Sequence, residues 1–242
     1  LDAPTEILST YAATLTYGDV HEDAIHGVER CLIDSLACAL GGYDGQPSRI
    51  ARLWALQQNS VAPAYLLVSG KATSPEAAAY ANGMMIRYLD CNDTYRAKEG
   101  GHPSDAISAV LAAAEAAHAD GSTTLLGLVV ADEVFCALNE AQALGPIGID
   151  HCLHVAVGAA AGSGAVMGLS TDQMANAVSL SLVPNVTLRV AREGRLSMWK
   201  GAAAPDAARR GLFAAQMAAL GMTGPEEPFL GSSGLSNLLG YP

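Results

Sequence analysis

The run Val155-Ala156-Val157-Gly158-Ala159-Ala160-Ala161-Gly162-Ser163-Gly164-Ala165-Val166-Met167-Gly168-Leu169 decides the fold. It is the longest stretch of small apolar residues in the chain, and it carries no charge. It falls short of the roughly 20 residues that span a bilayer, so it reads as a buried core helix. Side chains this small let neighbouring helices approach until their backbones nearly meet.

The rest of the chain follows that pattern. Half of its 242 residues are hydrophobic, yet aromatics make up only 5%, with Ala and Gly abundant. Such a composition supports a substantial core of close-packed helices, whereas strands would call for more Val, Ile, Tyr and Phe. Helical spacing of apolar positions predicts helices over about Pro4 to Tyr17 and about Glu22 to Leu40, the second ended by Gly41-Gly42. A third runs from Ser48 to Gln57. Ala64 to Val68 is too short and too flanked by Pro and Gly for a helix, and predicts an isolated strand. Ser74-Pro75-Glu76 starts a helix with a serine cap and a proline in its first turn, delivering its end at Asp90. Further helices are predicted from Pro103 to Ala119, Ser122 to Leu144, Asp150 to Met167, Thr171 to Leu182 and Trp199 to Leu220. Pro184 to Arg195 reads as irregular, and the Gly-rich tail after Pro225 shows no convincing helix. The sum is an all-α domain of about eight to ten helices over 1–242, with no internal boundary. The tail suggests that more domain belongs beyond Pro242.

A net charge of −11 and a pI near 4.8 argue against nucleic acid and anionic membrane as partners, since both require a basic footprint. Cations are few and uneven. Of 13 Lys and Arg, three lie in 87–98 (Arg87, Arg96, Lys98) and six in 189–210. This placement suits a small anionic ligand, although Arg209 and Arg210 fit a solvated helix face as well. The five cysteines are odd in number and lack CxxC spacing, so neither a disulfide framework nor a metal site is expected, and a reducing, cytoplasmic compartment is the simplest inference. No signal peptide opens the sequence given.

Chemistry concentrates in one polar loop, Arg87-Tyr88-Leu89-Asp90-Cys91-Asn92-Asp93-Thr94-Tyr95, followed by His102-Pro103-Ser104-Asp105. His102 stands at a helix entrance, where free N–H groups favour an anion; catalysis and capping fit equally well from spacing alone. Asp90 and Asp93 are three apart, with Thr94 four beyond Asp90; Asp90 is the better catalytic candidate, and Asn92 and Asp93 suit turn-shaping. Tyr95 suits a donor to a carboxylate or a half-buried boundary residue. His151 and His154 sit at i and i+3, but without a third ligand this reads as one functional histidine, His151, and one packed histidine. Lys200 lies at a loop-to-helix junction from which it can reach a substrate carboxylate. No GxGxxG, P-loop or GxSxG motif supports nucleotide chemistry or serine hydrolysis.

Leu89-Asp90-Cys91-Asn92-Asp93-Thr94-Tyr95, Ala97-Lys98-Glu99 and Gly101-His102-Pro103-Ser104-Asp105 resemble the signature block of the MmgE/PrpD family, which includes 2-methylcitrate dehydratases and cis-aconitate decarboxylases. Gly148-Ile149-Asp150-His151, Leu196-Ser197-Met198-Trp199-Lys200-Gly201 and Gly221-Met222-Thr223-Gly224-Pro225 extend the likeness, in order, over most of the chain. The resemblance implies a homodimer whose subunit is roughly twice this length, with a large helical domain, an α+β lid and the active site between them; this chain corresponds to the helical domain. It also implies that Asp90, Thr94, His102, His151 and Lys200 are active-site residues; Arg87, Asp93, Lys98 and Ser104, in or beside the same polar loop, are further substrate-binding candidates. Neither metal nor other cofactor is implied. Cys91 replaces the usual aromatic residue and Gly100-Gly101 departs from the dehydratase pattern, while Ser-Met-Trp-Lys and Ala-Lys-Glu lean toward the dehydratase branch. A lid tyrosine found in the decarboxylase has no counterpart here.

The expected chemistry is dehydration of a small tricarboxylate such as 2-methylcitrate, as in propionate catabolism: His102 as base oriented by Asp90, His151 as acid, Lys200 and Thr94 as carboxylate anchors, with base and acid exchangeable. The same parts serve decarboxylation of a cis-aconitate type or epimerisation of a dicarboxylate. A reading of another class is a non-catalytic helical dimerisation or binding domain.

Overall fold

In the computed structural model, which describes residues 1–240, the chain is all-α. Its helices are α1 (Ala3–Thr14), α2 (Glu22–Gly42), α3 (Gln46–Ala55), α4 (Pro75–Arg87), α5 (Ile107–Ala117), α6 (Gly121–Ala141), α7 (Cys152–Val166), α8 (Thr171–Leu182), α9 (Trp199–Ala219) and the short α10 (Leu235–Leu239). Local chemistry places the starts. The Asp2 carboxylate accepts from Thr5 N at 3.1 Å, Asp120 from Thr123 N at 2.8 Å, and Ser74 from Ala77 N at 3.3 Å, each satisfying an N–H that a helix leaves free. Ser170 and Gln173 form a reciprocal capping box at α8.

Val155 to Val166 of the small-residue run lie in α7, which is the centre of the molecule, while Met167 to Leu169 lie beyond its end. Every residue of α7 except Ala165 is buried, and the helix packs against α6, α8 and α9. On the far side of α9 lies α4, with α2 and α3 outside it; α1 packs on α8, and α5 bridges α4 and α7. Glycines set these separations. A Cβ on Gly162 would stand 2.5 Å from the Gly127 carbonyl of α6, and one on Gly211 of α9 would strike the Ala156 carbonyl of α7. Aliphatic residues of α6, such as Leu128, Val130 and Val134, and Leu212 of α9 fill the space around these contacts. By length and composition α6 could cross a membrane. It nevertheless carries Asp132 and Glu133 mid-helix and buries its apolar face on α7, which marks a core helix of this domain.

Several boundaries differ from expectation. Gly41-Gly42 are the last two residues of α2, which therefore ends at the glycine pair two residues beyond Leu40, and a side chain at Gly42 would collide with the Met85 carbonyl of α4. The pair serves close approach as well as marking the helix end. Helix α4 ends at Arg87, and Asp90 has φ +56°, a left-handed conformation that no α-helix continues. The expected isolated strand shrinks to β1 (Ala64–Tyr65), paired antiparallel with β2 (Ala72–Thr73). Helix α1 stops at Thr14 and a 3-10 turn follows at Tyr17–Asp19. One 3-10 turn, Pro103–Ala106, also precedes α5, and the tail contains α10. A second hairpin, β3 (Tyr95–Arg96) with β4 (Gly100–Gly101), was not foreseen.

The glycine contacts generate a stability prediction. Gly211→Val forces α9 away from α7 and should cost about 1–3 kcal/mol or more, read as a lower urea midpoint, whereas the same change at the uncrowded Gly27 should not act through packing. A Gly211→Val midpoint equal to wild type would show that the helices are not held at backbone contact.

Candidate active site

Three separate segments supply the walls of one cavity of about 600 Å3: the polar loop with its hairpin, the entrance to α7, and the loop leading into α9. Arg87, Asp90, Thr94, His102, His151 and Lys200 all line it. Asp93, Lys98 and Ser104 do not appear in its wall. Ser104 is buried beneath it, where its backbone N–H donates to Asp93 Oδ2 at 3.1 Å and its hydroxyl donates to Asp93 Oδ1. Lys98 is exposed and donates to the Ala141 carbonyl at 3.3 Å, and the Tyr95 phenol donates to Glu140. These residues shape and tether the loop.

The loop is organised around a buried guanidinium. Arg87, 3% exposed at the end of α4, donates through Nη1 to Asp90 Oδ1 at 2.5 Å and to Asn92 Oδ1 at 2.9 Å, and its Nε lies 3.1 Å from Asp105 Oδ1. Asn92 in turn donates to Ser104 Oγ at 2.9 Å, tying the two halves of the loop together. Asp90 was expected to orient His102. It instead accepts from Lys200 Nζ at 2.6 Å and from Arg87, and the Lys200 hydrogen bond, followed by that of Arg87, outweighs partial burial to hold its carboxyl well below the usual range. The His102 ring is held by a backbone group, the Asp93 carbonyl at Nδ1. A carbonyl only accepts, so Nδ1 carries the proton and the neutral ring keeps its lone pair on Nε2.

His151 faces His102 with ring centroids 5.9 Å apart and planes at 60°. It sits between two buried carboxylates: Nδ1 is 3.3 Å from Asp150 Oδ1 and Nε2 is 3.7 Å from Asp105 Oδ2. Burial pushes the Asp105 carboxyl up, but Arg87 first and then His151 and His102 bring it below its ordinary value. Asp150 shows the same contest, with the Arg192 hydrogen bonds and His151 overcoming burial to bring it down to about 2. Arg192 is placed by the chain itself: Asp150 N donates to the Thr187 carbonyl and Arg189 N to the Gly148 carbonyl, both at 2.8 Å, pinning the irregular 184–195 segment against the entrance of α7. Gly101 belongs to the same construction, since a Cβ there would lie 2.6 Å from the His151 ring and 2.7 Å from Phe135.

His154, three residues on, is fully buried without a partner for either ring nitrogen, and burial, then His151, pushes its pKa down to about 3. It is a neutral packing residue. The ligand atoms of Asp150, His151 and Cys152 cluster within 4.8 Å of one another, a spacing compatible with a metal. Arg192 takes the cation position: Nη2 lies 3.0 Å from Asp150 Oδ1 and 3.5 Å from Cys152 Sγ, and Nε donates to Asp150 Oδ2. Burial, then Asp150, also raises the Cys152 thiol well above its ordinary value, so it stays a protonated thiol.

Sequence reasoning had passed over Asp105, Asp150, Arg192 and Glu99 as site residues. The available signals were an acid directly before His151, an acid three residues after His102, and arginines in a segment otherwise without pattern. Glu99 closes the hairpin on the rest of the domain, accepting from Leu144 N at 2.9 Å and Gly145 N at 2.8 Å.

The profile of the MmgE/PrpD N-terminal domain matches residues 6–241. The chain belongs to the MmgE/PrpD family. It is similar to the 2-methylcitrate dehydratase of Salmonella typhimurium, 33% identical over 239 residues that make up 92% of this chain and 49% of that protein. The enzymes of the same name from Escherichia coli O157:H7 and Salmonella typhi are each 32% identical, over 90% and 92% of this chain and 48% and 49% of their own length. The chain thus spans about half the length of the curated relatives it matches. In this MmgE/PrpD domain, residues from three of the words that carried the resemblance, the 89–105 block, 148–151 and 196–201, meet around one cavity, whereas the 221–225 word lies away from it.

A pH prediction follows from Asp150. Its folded pKa near 2 lies below the roughly 3.9 of an unfolded aspartate, so its ionised form stabilises the fold above about pH 4 and that contribution is lost as pH falls toward about 2. Asp150→Asn should lower the urea midpoint at neutral pH, and the gap to wild type should narrow through that acid window. A gap that stays constant with pH would contradict the assignment.

Proposed function

We propose that this domain supplies the helical wall of a hydro-lyase acting on a small tricarboxylate of the 2-methylcitrate class. The reading rests above all on two histidines held 5.9 Å apart in one cavity, in different hydrogen-bond environments and surrounded by cations. In this reading His102 Nε2, with its free lone pair, takes the proton next to a substrate carboxylate. The electron pair left behind forms the double bond, and the β-hydroxyl departs as water with a proton from His151. Asp105 and Asp150 flank His151 and suit a ring that carries positive charge while it waits to give up its proton. Lys200 and Thr94 hold substrate carboxylates. Base, acid and anchors are all side chains, so the reaction as proposed calls on no metal or other cofactor.

The same reading has the cavity closed by an α+β domain, as the family resemblance implies, with the enzyme working as a homodimer in the cytoplasm. The five cysteines are free thiols, which is consistent with a reducing compartment. The relatives named 2-methylcitrate dehydratase support the substrate class.

In the full-length enzyme His102→Ala should lower 2-methylcitrate turnover by about 100-fold or more, in line with general acid–base contributions. Near wild-type turnover would remove His102 from the chemistry. Lys200→Ala should mainly raise KM, and an unchanged KM would make the lysine peripheral. If wild type turns over no citrate-like acid and calorimetry finds no tricarboxylate binding, the domain is a scaffold instead of a catalytic wall.

A further inference from the structure

Five cations line the cavity, and four of them already face carboxylates. Arg87 is bound to Asp90 and lies beside Asp105, Lys200 is bound to Asp90, Arg192 grips Asp150 with two nitrogens, and Arg189 lies 3.6 Å from Glu99. Arg96 is different. Among the described residues it makes no ion pair and no side-chain hydrogen bond, although it lines the same cavity. Its backbone is fixed by the hairpin, where it pairs with Gly100, and its side chain passes over that glycine: a Cβ at Gly100 would lie 3.9 Å from Arg96 Cγ. The hairpin is tied to the domain through Glu99.

Asp90, Glu99, Asp105 and Asp150 each face one or more of the other four cations, and Arg96 is the cavity cation without a carboxylate partner among the described residues. An anionic substrate that recruits Lys200 competes with Asp90 for its ammonium, and one that draws Arg192 away deprives the buried Asp150 of its arginine. Binding at Arg96 requires no such exchange. Arg96 is exposed, and a guanidinium offers a planar fork that matches a carboxylate with two parallel hydrogen bonds.

We propose that Arg96 is a specificity-determining residue that holds a second substrate carboxylate, beyond the one anchored by Lys200, and so favours tricarboxylates over dicarboxylates. The inference rests on the carboxylate-binding reading of the cavity given above, and it adds the residue that counts carboxylates. Arg96 on the hairpin and Lys200 on α9 come from different elements lining the same cavity, so two carboxylates of one ligand can be held from separate walls.

The test uses the full-length protein as wild type, Arg96→Ala and Arg96→Lys, with folding checked by circular dichroism. Calorimetry with citrate as the tricarboxylate probe and malate as the dicarboxylate probe is followed by steady-state kinetics on 2-methylcitrate. Arg96→Ala should weaken citrate binding and raise KM by about 10- to 100-fold, the size expected for a lost charge-assisted hydrogen bond, while kcat and malate affinity change by less than about threefold. Arg96→Lys should restore part of the citrate affinity. Equal losses for citrate and malate, a fall in kcat without a rise in KM, or unchanged citrate affinity would each overturn the assignment. Wild-type citrate binding that depends on Arg96 without turnover would keep Arg96 as a carboxylate site while rejecting the hydro-lyase reading. A wild type that binds neither acid overturns both.

Discussion

Backbone contact between α6, α7 and α9 is the constraint on which the rest of the structure depends. Gly162 meets Gly127, Gly211 meets the Ala156 carbonyl, and a Cβ on Gly158 would stand 2.8 Å from the Ala131 carbonyl. Alanine and glycine bury little apolar area each, so the transfer contribution per residue is small. Close approach offsets this through dense dispersion contacts, and small side chains lose almost no rotamer entropy on ordering. The functional consequence is positional. With α7 and α9 locked together, His151 just before the first and Lys200 in the first turn of the second are delivered to the same cavity from positions 49 residues apart in the chain.

A second layer of organisation is electrostatic and costly. Arg87, Asp105, His151, Asp150 and Arg192 form a row of alternating donors and acceptors, with both carboxylates wholly buried. Burying charges in this way seldom adds stability over an apolar core of the same shape, since desolvation consumes most of the Coulombic gain. The row is also incompletely satisfied: Arg87 Nε, Asp105 Oδ2 and His151 Nε2 lack hydrogen-bond partners although each is close to another member. A core built only for stability would close those gaps. The arrangement is coherent if His151 must keep its surroundings while its proton comes and goes, with carboxylates near enough to support the charged ring and not bound so tightly as to fix it.

The parts legible in the sequence were those governed by local rules. Apolar periodicity located the main helices, Ser74-Pro75 and Ser170-Thr171-Asp172 located two helix starts, and the small-residue run marked the central helix. The gathering of His102, His151, Asp90, Thr94 and Lys200 came from the family words, not from spacing. What escaped was set by partners distant in sequence. Gly41-Gly42 has the composition of a helix stop and ends α2, but Met85 across the interface also makes it a contact point. The hairpin at 95–101 has no hydrophobic alternation, because it is held from outside by Glu99 bonding to Leu144 and Gly145. Arg192 looked like one cation among several in an unpatterned segment, and only the bridge between Ile149 and Leu188 brings it to Asp150.

Asp90 shows how these levels meet. Its left-handed backbone ends the run of α4 and turns the loop, so its carboxylate lies between Arg87 and Lys200. Both cations lower its proton affinity, keeping it ionised across the physiological range. A resident anion on Lys200 holds that side chain extended toward the cavity and spares it the entropy of ordering when a substrate arrives. The same anion sets a threshold, because an incoming carboxylate gains only the difference between its own pairing with Lys200 and that of Asp90. A monocarboxylate therefore gains little from the exchange. In the proposed reading, a ligand with several carboxylates combines that exchange with a contact to Arg96, the cavity cation without a carboxylate partner among the described residues.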